Sequence, residues 1–451
     1  MDLDTFRALL TDEGQAVLAA VRDCAPATWP ATLTALRWDH SAELVTAAIE
    51  QVRLRREAEA KFGADAQRMY FTRDGLDRAS HREVAEYKLG RVLDEIGVVF
   101  LDVFHLGMGA DALAMGSAHA VTAVDSDPLN VAVTTANGEA LDALSMMWIR
   151  QQELTAYRPW GEAVFIDVLQ RAAPDGSDGS LGRPGLAGAQ PGGRGGWVVS
   201  ARGGARPPGG VVGAAPPPGG APPPRPWALD TVRGMGAGAI RLSPELPYGS
   251  LPEGCGADEA EWISWEGEVQ EAVLWWWYGG MNPAERVPRR ATLLPGGATL
   301  TGRGLPDPAV RPPGRYLYEV DAAVVGAGLV AEVAEDVDGG VLDGAVSACV
   351  TSDAAYATPF ATAFEIIEVL PYDPSAPGTP LRDRGVGELT VRQHGCAAEA
   401  AELARAFTPS GAGAATVFLT RVAGAPTLFL VRPVGEPRDV PLAAEYRDER
   451  R

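Results

Sequence analysis

A glycine turn and three aspartates are the residues of this 451-residue chain whose types and spacing best suit ligand binding. Gly107, Gly109 and Asp111 follow a short apolar run, FLDVF, so backbone N–H groups and the start of a following helix can approach a ligand there. Asp125 ends the next apolar run, at about the spacing at which a carboxylate accepts the hydroxyls of a ribose. Asp167 ends a later run and could orient an attacking amine or act as a weak base.

Each of these residues also has a purely structural interpretation. The two glycines alone are equally well explained as a tight turn between a strand and a helix. Asp125 and Asp127 can cap a helix that begins at Pro128, and Asp167 can be a solvated strand end. The glycine turn, Asp125 and Asp167 occur in this order on one pattern of strands and helices. Together they therefore favour a nucleoside-containing cofactor.

The elements that must position these residues alternate between strand and helix patterns. Short, dense apolar runs of strand length are VVFLDVF, AVTAVDSD and GEAVFID, and helix patterns between them are DALAMGSAHA and PLNVAVTTANGEALDAL. Such alternation predicts a parallel α/β sheet. Further along, EAEWISWEGEVQEAVLWWWYG predicts two strands around an EG turn.

The pattern of the whole chain predicts five regions. The run of residues 174–226 within the second region is about half Gly and Pro, cannot bury enough apolar surface to fold, and is interpreted as disordered. The regions are a helical domain (1–93), a sheet domain (94–285), a mixed α/β connecting region (286–384), a compact α+β domain (385–436) and a charged tail (437–451).

Composition excludes several classes of protein. The four cysteines form no CxxC pair and the five histidines form no recognisable ligand set, so we expect no metal site. We see neither a signal peptide nor an apolar run long enough to span a membrane, so we expect a soluble, cytoplasmic protein.

Blocks spread over most of the chain outside 174–226 resemble one family, the class I S-adenosylmethionine-dependent methyltransferases that carry a C-terminal THUMP-like domain. The resemblance implies an α/β fold in which a Rossmann-like methyltransferase sheet follows the N-terminal helical domain and a small α+β THUMP-like domain occupies 385–436. The clearest blocks are RMYFTRDGLDRAS (68–80), GMGADALA (107–114), VTAVDSDPL (121–129), VFID (164–167) and GVGELTVRQHG (385–395).

The resemblance also implies roles for individual residues. S-adenosyl-L-methionine would be the cofactor, held by the glycine turn at Gly107 and Gly109 together with Asp111 and Asp125. Asp102, the acid nearest to the family's first motif, joins this cofactor-binding set. Asp167 would lie near the methyl acceptor.

The implied substrate is RNA, because the THUMP domains that the C-terminal region resembles bind RNA. The net charge of −20 opposes loose binding to a polyanion, so RNA binding would need a local cationic face. Arg384, Arg392, Arg421 and Arg432 either form such a face or are scattered, solvated side chains.

Departures from the family pattern leave two alternatives open. His105 stands where the family has a glycine, and an imidazole there should crowd the cofactor unless the loop shifts. Together with the 174–226 stretch, His105 motivates a catalytically impaired, methyltransferase-like binding or scaffold protein. A nicotinamide-dependent oxidoreductase shares the glycine turn but has no place for the later blocks and lacks a complete GxGxxG.

Overall fold

Helices occupy the chain up to residue 91 in the part that the structure describes. The computed structural model describes residues 1–22, 29–104, 107–167, 196–200, 226–251, 255–277, 287–375, 377–408 and 410–435. The helices are α1 (Leu3–Leu10), α2 (Asp12–Arg22), α3 (Trp29–Leu36), α4 (Ala42–Phe62), α5 (Arg73–Arg78) and α6 (Arg82–Arg91). The predicted helical character of this region is confirmed.

Helices α4 and α5 begin at side-chain caps that the sequence supplies. The backbone N–H of Leu44 donates to Ser41 Oγ (3.2 Å) at the start of α4, and that of Gly75 donates to Thr72 Oγ1 (2.9 Å) at the start of α5. Such caps satisfy N–H groups that have no partner within the helix. The short helix α5 is therefore fixed at its first turn.

A nine-stranded sheet follows, in the order β10-β9-β7-β8-β6-β4-β1-β2-β3. Between its first strands lie α7 (Ala110–Gly116) and α8 (Pro128–Ala140), and α9 (Pro226–Met235) precedes β6. Its strands are β1 (Phe100–Phe104), β2 (Ala120–Asp125), β3 (Met147–Gln151), β4 (Ala163–Asp167), β6 (Gly238–Leu242), β7 (Glu259–Trp265), β8 (Glu268–Trp276), β9 (Arg289–Leu294) and β10 (Ala298–Thr301). The strand β5 (Gly196–Ser200) belongs to the second sheet, described below.

The strand order reverses between β1 and β4. The chain runs outward from β1 to β2 and β3 on one side, and then from β4 to β6 on the other, with all five strands parallel. Ligands of open α/β sheets bind beyond the carboxyl ends of the strands at such a switch point. The residues that follow β1, β2 and β4 are therefore brought to one place.

The sheet continues beyond β6 with an antiparallel hairpin. β8 pairs antiparallel with both β6 and β7, and Glu266 and Gly267 link β7 to β8 with positive φ angles of 51° and 90°. Positive φ at both central residues is typical of a two-residue hairpin turn. The two strands predicted around the EG turn are confirmed.

An eight-stranded sheet follows, in the order β12-β13-β11-β14-β17-β16-β15-β5. Its remaining strands are β11 (Tyr316–Val320), β12 (Gly340–Asp343), β13 (Val346–Ser352), β14 (Ala361–Pro371), β15 (Val386–Gln393), β16 (Gly413–Val422) and β17 (Ala425–Pro433). The helices of this part of the chain are α10 (Ala322–Gly326), α11 (Val330–Asp336), α12 (Thr379–Arg382) and α13 (Ala397–Ala406). The order strand, helix, strand, strand that was predicted after residue 385 is confirmed by β15, α13, β16 and β17.

One apolar core joins the two sheets. It includes Trp262 and Leu274 from the first sheet, Val324 from α10, and Tyr318 and Val350 from the second. The region 286–384 contributes to both sheets, since β9 and β10 extend the first and β11 to β14 belong to the second. The predicted domain boundaries remain predictions.

Most of the Gly/Pro-rich stretch and the charged tail lie outside the described residues. Of residues 174–226, the structure describes 196–200, which pair with β15 as β5, and residue 226, where α9 begins. No helix of the described residues is both long and apolar enough to cross a membrane.

Candidate functional site

A cavity of about 390 Å³ opens at the carboxyl ends of β1, β4 and β6, beside the switch point of the sheet. Its volume falls within the range of small-molecule sites, about 300–1,000 Å³. Its polar lining consists of Asp74, Arg78, Ser80, Asp111, Asp127, Asn130, Asp167 and Arg241. Position, volume and lining make this cavity the candidate functional site.

The glycine turn forms one wall of the cavity. Gly107 lines it with φ at 54°, and Gly109, with φ at 90°, precedes the first residue of α7. A Cβ atom at Gly109 would lie 2.6 Å from Cγ2 of Thr134 on α8. Both the positive φ and this close approach require glycine at position 109.

A buried ionic network connects the predicted acids Asp111 and Asp167. Lys88 Nζ lies 2.6 Å from Asp111 Oδ1 and 2.7 Å from Glu271 Oε1. Arg241 bridges Glu271 to Asp167, with 2.7 Å between its Nη1 and Asp167 Oδ2. Glu271, at the middle of β8, is therefore the centre of a network that reaches the cavity at two points.

The charges of this network stabilise one another. Burial lowers the pKa of the Arg241 guanidinium, but Asp167 and Glu271 outweigh burial and hold that pKa above its usual value. Burial raises the pKa of Asp111, but Lys88, with Arg241 next, outweighs it and holds that pKa below its usual range. Three carboxylates thus face two cations, and the cluster carries one net negative charge.

The opposite wall of the cavity comes from α5 and the residues after it. Asp74, Gly75 and Arg78 line the cavity, and Arg78 Nη2 pairs with Asp74 Oδ1 at 2.6 Å. Ser80 Oγ donates to Asp111 Oδ2 (3.2 Å) and so connects this wall to the ionic network. These residues lie within the block 68–80 that carries the family resemblance, but no sequence pattern predicted that they line a site.

Asp125 is fully buried at the end of β2. Its Oδ1 accepts from the backbone N–H of Asp127 (2.8 Å) and its Oδ2 from the side-chain amide of Asn130 (3.1 Å). Among the described residues, Asp127 and Asn130 line the cavity and Asp125 stands behind them. Asp127 also caps α8 through the N–H of Leu129 (2.8 Å). The role of Asp125 toward a ribose stays a prediction.

Asp102 lies on β1 and binds the loop before β4. Its carboxylate accepts from Tyr157 Oη (2.9 Å) and from the backbone N–H groups of Trp160 (3.0 Å) and Gly161 (2.7 Å). Burial raises its pKa, against the opposing effect of these hydrogen bonds. Asp102 is absent from the lining that the described residues give the cavity, and its predicted contact with a cofactor stays a prediction.

A second buried carboxylate, Glu261 on β7, repeats the arrangement of Glu271 away from the cavity. Arg91 Nη1 lies 2.9 Å from Glu261 Oε2, and Tyr87 Oη donates to Glu261 Oε1 (2.6 Å). Arg91 and Lys88 are both on α6, so this helix is anchored to β7 and β8 by two separate ionic contacts.

His105 and residues 168–171 lie outside the described residues. Within the described residues, no group of three or more His, Cys, Asp or Glu side chains is arranged to hold a metal ion.

The four arginines considered for a cationic face are each paired with a glutamate. Arg384 lies 2.6 Å from Glu368 and Arg421 lies 3.2 Å from Glu399. The other two pairs are Arg392 with Glu319 and Arg432 with Glu365. These contacts reduce the positive potential that the arginines can offer to a polyanion.

Two parts of the chain match known family descriptions. Residues 361–433 match the THUMP domain-like family, and residues 2–58 match a domain of unknown function (DUF8688). The first match begins with β14, earlier than residue 385, where the sequence pattern placed the start of this domain. No curated protein matches the chain in sequence.

A solved structure shares the fold over nearly the whole chain. The candidate methyltransferase from Porphyromonas gingivalis W83 aligns with a TM-score of 0.59 and 15% identity, covering 94% of this chain and 99% of its own. The SAH-bound methyltransferase PaMTH1 of Podospora anserina aligns with 12% identity over 26% of this chain and 48% of its own, at a TM-score of 0.17. A score that low does not establish a common fold. By its sheet topology, its full-length structural neighbour and its C-terminal match, the chain has the fold of a class I methyltransferase with N-terminal helices and a THUMP-like domain.

Proposed function

We propose that this protein is an S-adenosylmethionine-dependent methyltransferase that acts on RNA. The observation that carries the proposal is the cavity at the switch point, where the glycine turn, Asp111 and Asp167 line one space. That is the place where an open α/β sheet binds a nucleoside-containing ligand. The chain shares its fold with the Porphyromonas gingivalis protein described as a methyltransferase, which makes S-adenosylmethionine the first cofactor to test.

The lining of the cavity fits the charges of this cofactor. S-adenosylmethionine carries a sulfonium, an ammonium and a carboxylate, and so has one net positive charge. The lining supplies four carboxylates, those of Asp74, Asp111, Asp127 and Asp167, and two guanidinium groups. The acids can accept the ammonium and favour the sulfonium, while Arg78 or Arg241 can pair with the carboxylate.

The α8 side of the cavity suits the nucleoside part. Asp127 and Asn130 present a carboxylate and an amide at the start of α8, and Asp125 fixes both through its two hydrogen bonds. Hydroxyl groups of a ribose need such acceptors and donors. Asp125 would then act by holding Asp127 and Asn130, or by direct contact if they shift.

When bound, the cofactor supplies a methyl group activated by the sulfonium, which is transferred by in-line displacement. The protein contributes alignment and electrostatics. The ion pair with Arg241 fixes the carboxylate of Asp167 at the end of β4, where it can orient the acceptor or take its proton. Phe165 and Val103 line the same space and help to exclude water.

RNA as the acceptor is supported by the THUMP domain-like match over residues 361–433. The paired arginines and the net charge of −20 predict weak binding to RNA. We expect a labelled methyl group to pass from S-adenosylmethionine to total cellular RNA. Label found in protein or in small molecules instead would reject RNA as the acceptor but would still support a methyltransferase.

Calorimetry with S-adenosylmethionine and with S-adenosylhomocysteine tests the cofactor directly. We expect Asp167→Asn to retain cofactor binding and lose transfer, and Asp125→Ala to weaken binding about tenfold or more through the loss of charge-assisted hydrogen bonds. Asp230→Asn, an exposed acid on α9, serves as the matched control and should match the wild type. No heat and no thermal stabilisation at millimolar ligand would refute the proposal.

Two other outcomes of these experiments decide between the remaining hypotheses. Cofactor binding without transfer to any acceptor would support the binding or scaffold protein. Retention on a nicotinamide dinucleotide column, with no response to S-adenosylmethionine, would support the oxidoreductase.

A further inference from the structure

The α5 wall of the cavity is held in place by a lysine from another helix. Lys61, in the last turn of α4, donates from its Nζ to the backbone carbonyls of Leu76 (2.9 Å), Ala79 (2.9 Å) and Asp77 (3.4 Å). These carbonyls belong to the end of α5, where a helix has no intrahelical donors for its last C=O groups. One side chain therefore satisfies three acceptors that the short helix leaves open.

The convergence of three acceptors on one nitrogen suits an ammonium group. An ammonium has three donors on a single atom, whereas a guanidinium spreads its donors over a planar fork. The chain has 39 Lys and Arg residues, and Lys61 and Lys88 are its only lysines. Lys88 has the same property, since its Nζ contacts Asp111, Glu271 and Ser80. Both lysines thus occur where several oxygen atoms converge beside the cavity.

Helix α5 has two further attachments, one from β6, where Arg241 Nη2 donates to the backbone carbonyl of Arg78 (2.8 Å), and one from α4. Arg73, the first residue of α5, makes two hydrogen bonds with Glu57, at 2.5 and 3.1 Å. This contact is exposed, so solvent weakens it, whereas the contacts of Lys61 with Leu76 and Ala79 are partly buried. Burial, with Arg241 next, lowers the pKa of Lys61 to about 8, against the opposing effect of Asp77 and Glu271. At neutral pH the ammonium therefore remains the major form.

We propose that Lys61 is a positioning residue, which holds Asp74, Gly75 and Arg78 against the cavity by donating to the carbonyls at the end of α5. The part of this inference that concerns ligand affinity rests on the proposed function. The part that concerns the position of α5 does not, because the protection of this helix can be measured without a ligand.

Hydrogen exchange of the full-length protein tests the attachment. In Lys61→Met we expect the amides of residues 76–79 to exchange about tenfold faster or more, with the amides of β1 and β2 unchanged. Lys61→Arg retains the charge and should show most of the same loss, because a guanidinium cannot place three donors on one point. Arg53→Met, which removes an exposed cation from the same helix, should behave as the wild type.

Wild-type exchange at residues 76–79 in Lys61→Met would overturn the proposal, and full protection in Lys61→Arg would overturn its requirement for an ammonium. If Lys61→Met loses protection throughout the chain, Lys61→Gln, which retains two donors, provides the same test, and we expect an intermediate local loss. S-adenosylhomocysteine should bind Lys61→Met about tenfold more weakly. If the wild type fails to bind it while the local exchange changes as expected, the proposed function fails and the positioning role stands.

Discussion

Replacing Glu271 by Gln removes one negative charge from a fully buried side chain at nearly constant volume. In the wild type, Glu271 contacts Lys88 at 2.7 Å and also pairs with Arg241. After the change each cation keeps one carboxylate, since Lys88 lies 2.6 Å from Asp111 and Arg241 lies 2.7 Å from Asp167. The perturbation therefore weakens the network without leaving a buried cation alone.

The expected cost follows from these contacts. Removing one partner of a buried ion pair costs about 3–5 kcal/mol when the other charge is left uncompensated. Here both cations remain compensated, and the desolvation of one carboxylate is relieved. We therefore expect Glu271→Gln to lower the free energy of unfolding by about 2 kcal/mol, below that range.

Glu261→Gln is the matched control for this change. Glu261 is equally buried, and its main partner Arg91 keeps Glu259 at 2.8 Å after the substitution. We expect a similar loss of about 2 kcal/mol. However, only Glu271 contacts Arg241, which pairs with Asp167 at the cavity, so S-adenosylhomocysteine should bind more weakly to Glu271→Gln alone.

Urea unfolding followed by circular dichroism measures the first quantity, and calorimetry measures the second. If Glu271→Gln costs less than about 1 kcal/mol, the network does not stabilise the fold as described. If Glu261→Gln weakens ligand binding as much as Glu271→Gln, the effect passes through general loosening of the sheet rather than through Arg241.

Three further predictions concern single positions. Gly109→Ala should destabilise the protein by about 2–3 kcal/mol, because it places a Cβ at a φ of 90° and 2.6 Å from Thr134. In urea unfolding, adding Thr134→Ser should recover part of the lost stability. An unchanged unfolding midpoint in Gly109→Ala would show that glycine is not required at this position. Tyr157→Phe removes one hydrogen bond to Asp102 and should cost about 1–2 kcal/mol with no change in cofactor affinity. Weaker binding measured by calorimetry would instead show that Asp102 acts at the cofactor site. Burial, with Lys61 next, lowers the pKa of His81 to about 4. Between about pH 6.5 and pH 4 the His81 side chain is therefore protonated in the unfolded chain but neutral in the folded protein. Stability should therefore fall from pH 6.5 to pH 4, and His81→Phe should remove about 1–2 kcal/mol of this loss once the partial exposure of the ring is discounted; identical pH profiles of the two proteins would be inconsistent with this origin.

Features encoded by neighbouring residues could be predicted from the sequence. β1, β2 and β4 are short apolar runs that are buried on both faces, which is how strands of a parallel sheet differ from their surroundings. The start of α8 at Pro128 follows from Asp127 before it, and the hairpin follows from Glu266 and Gly267.

Contacts between distant segments could not be predicted in this way. Ser80 meets Glu271 across 191 residues, and no local pattern reveals that the middle of an apolar strand holds a paired carboxylate. Likewise, the direction of a buried acid depends on which face of the sheet it occupies. Asp102 and Asp167 both belong to parallel strands, yet Asp102 contacts Tyr157 whereas Asp167 is at the cavity.

The two anchors of α6 have a consequence for how this protein can be divided. A truncation at residue 93 would remove Lys88 and Arg91 together, so Glu261 would lose its paired cation and Glu271 would keep only Arg241. Burying carboxylates without such partners opposes folding, by several kcal/mol for each uncompensated charge. The nine-stranded sheet therefore depends on the helical region before it, and recombination or gene fusion could exchange the two only as a unit.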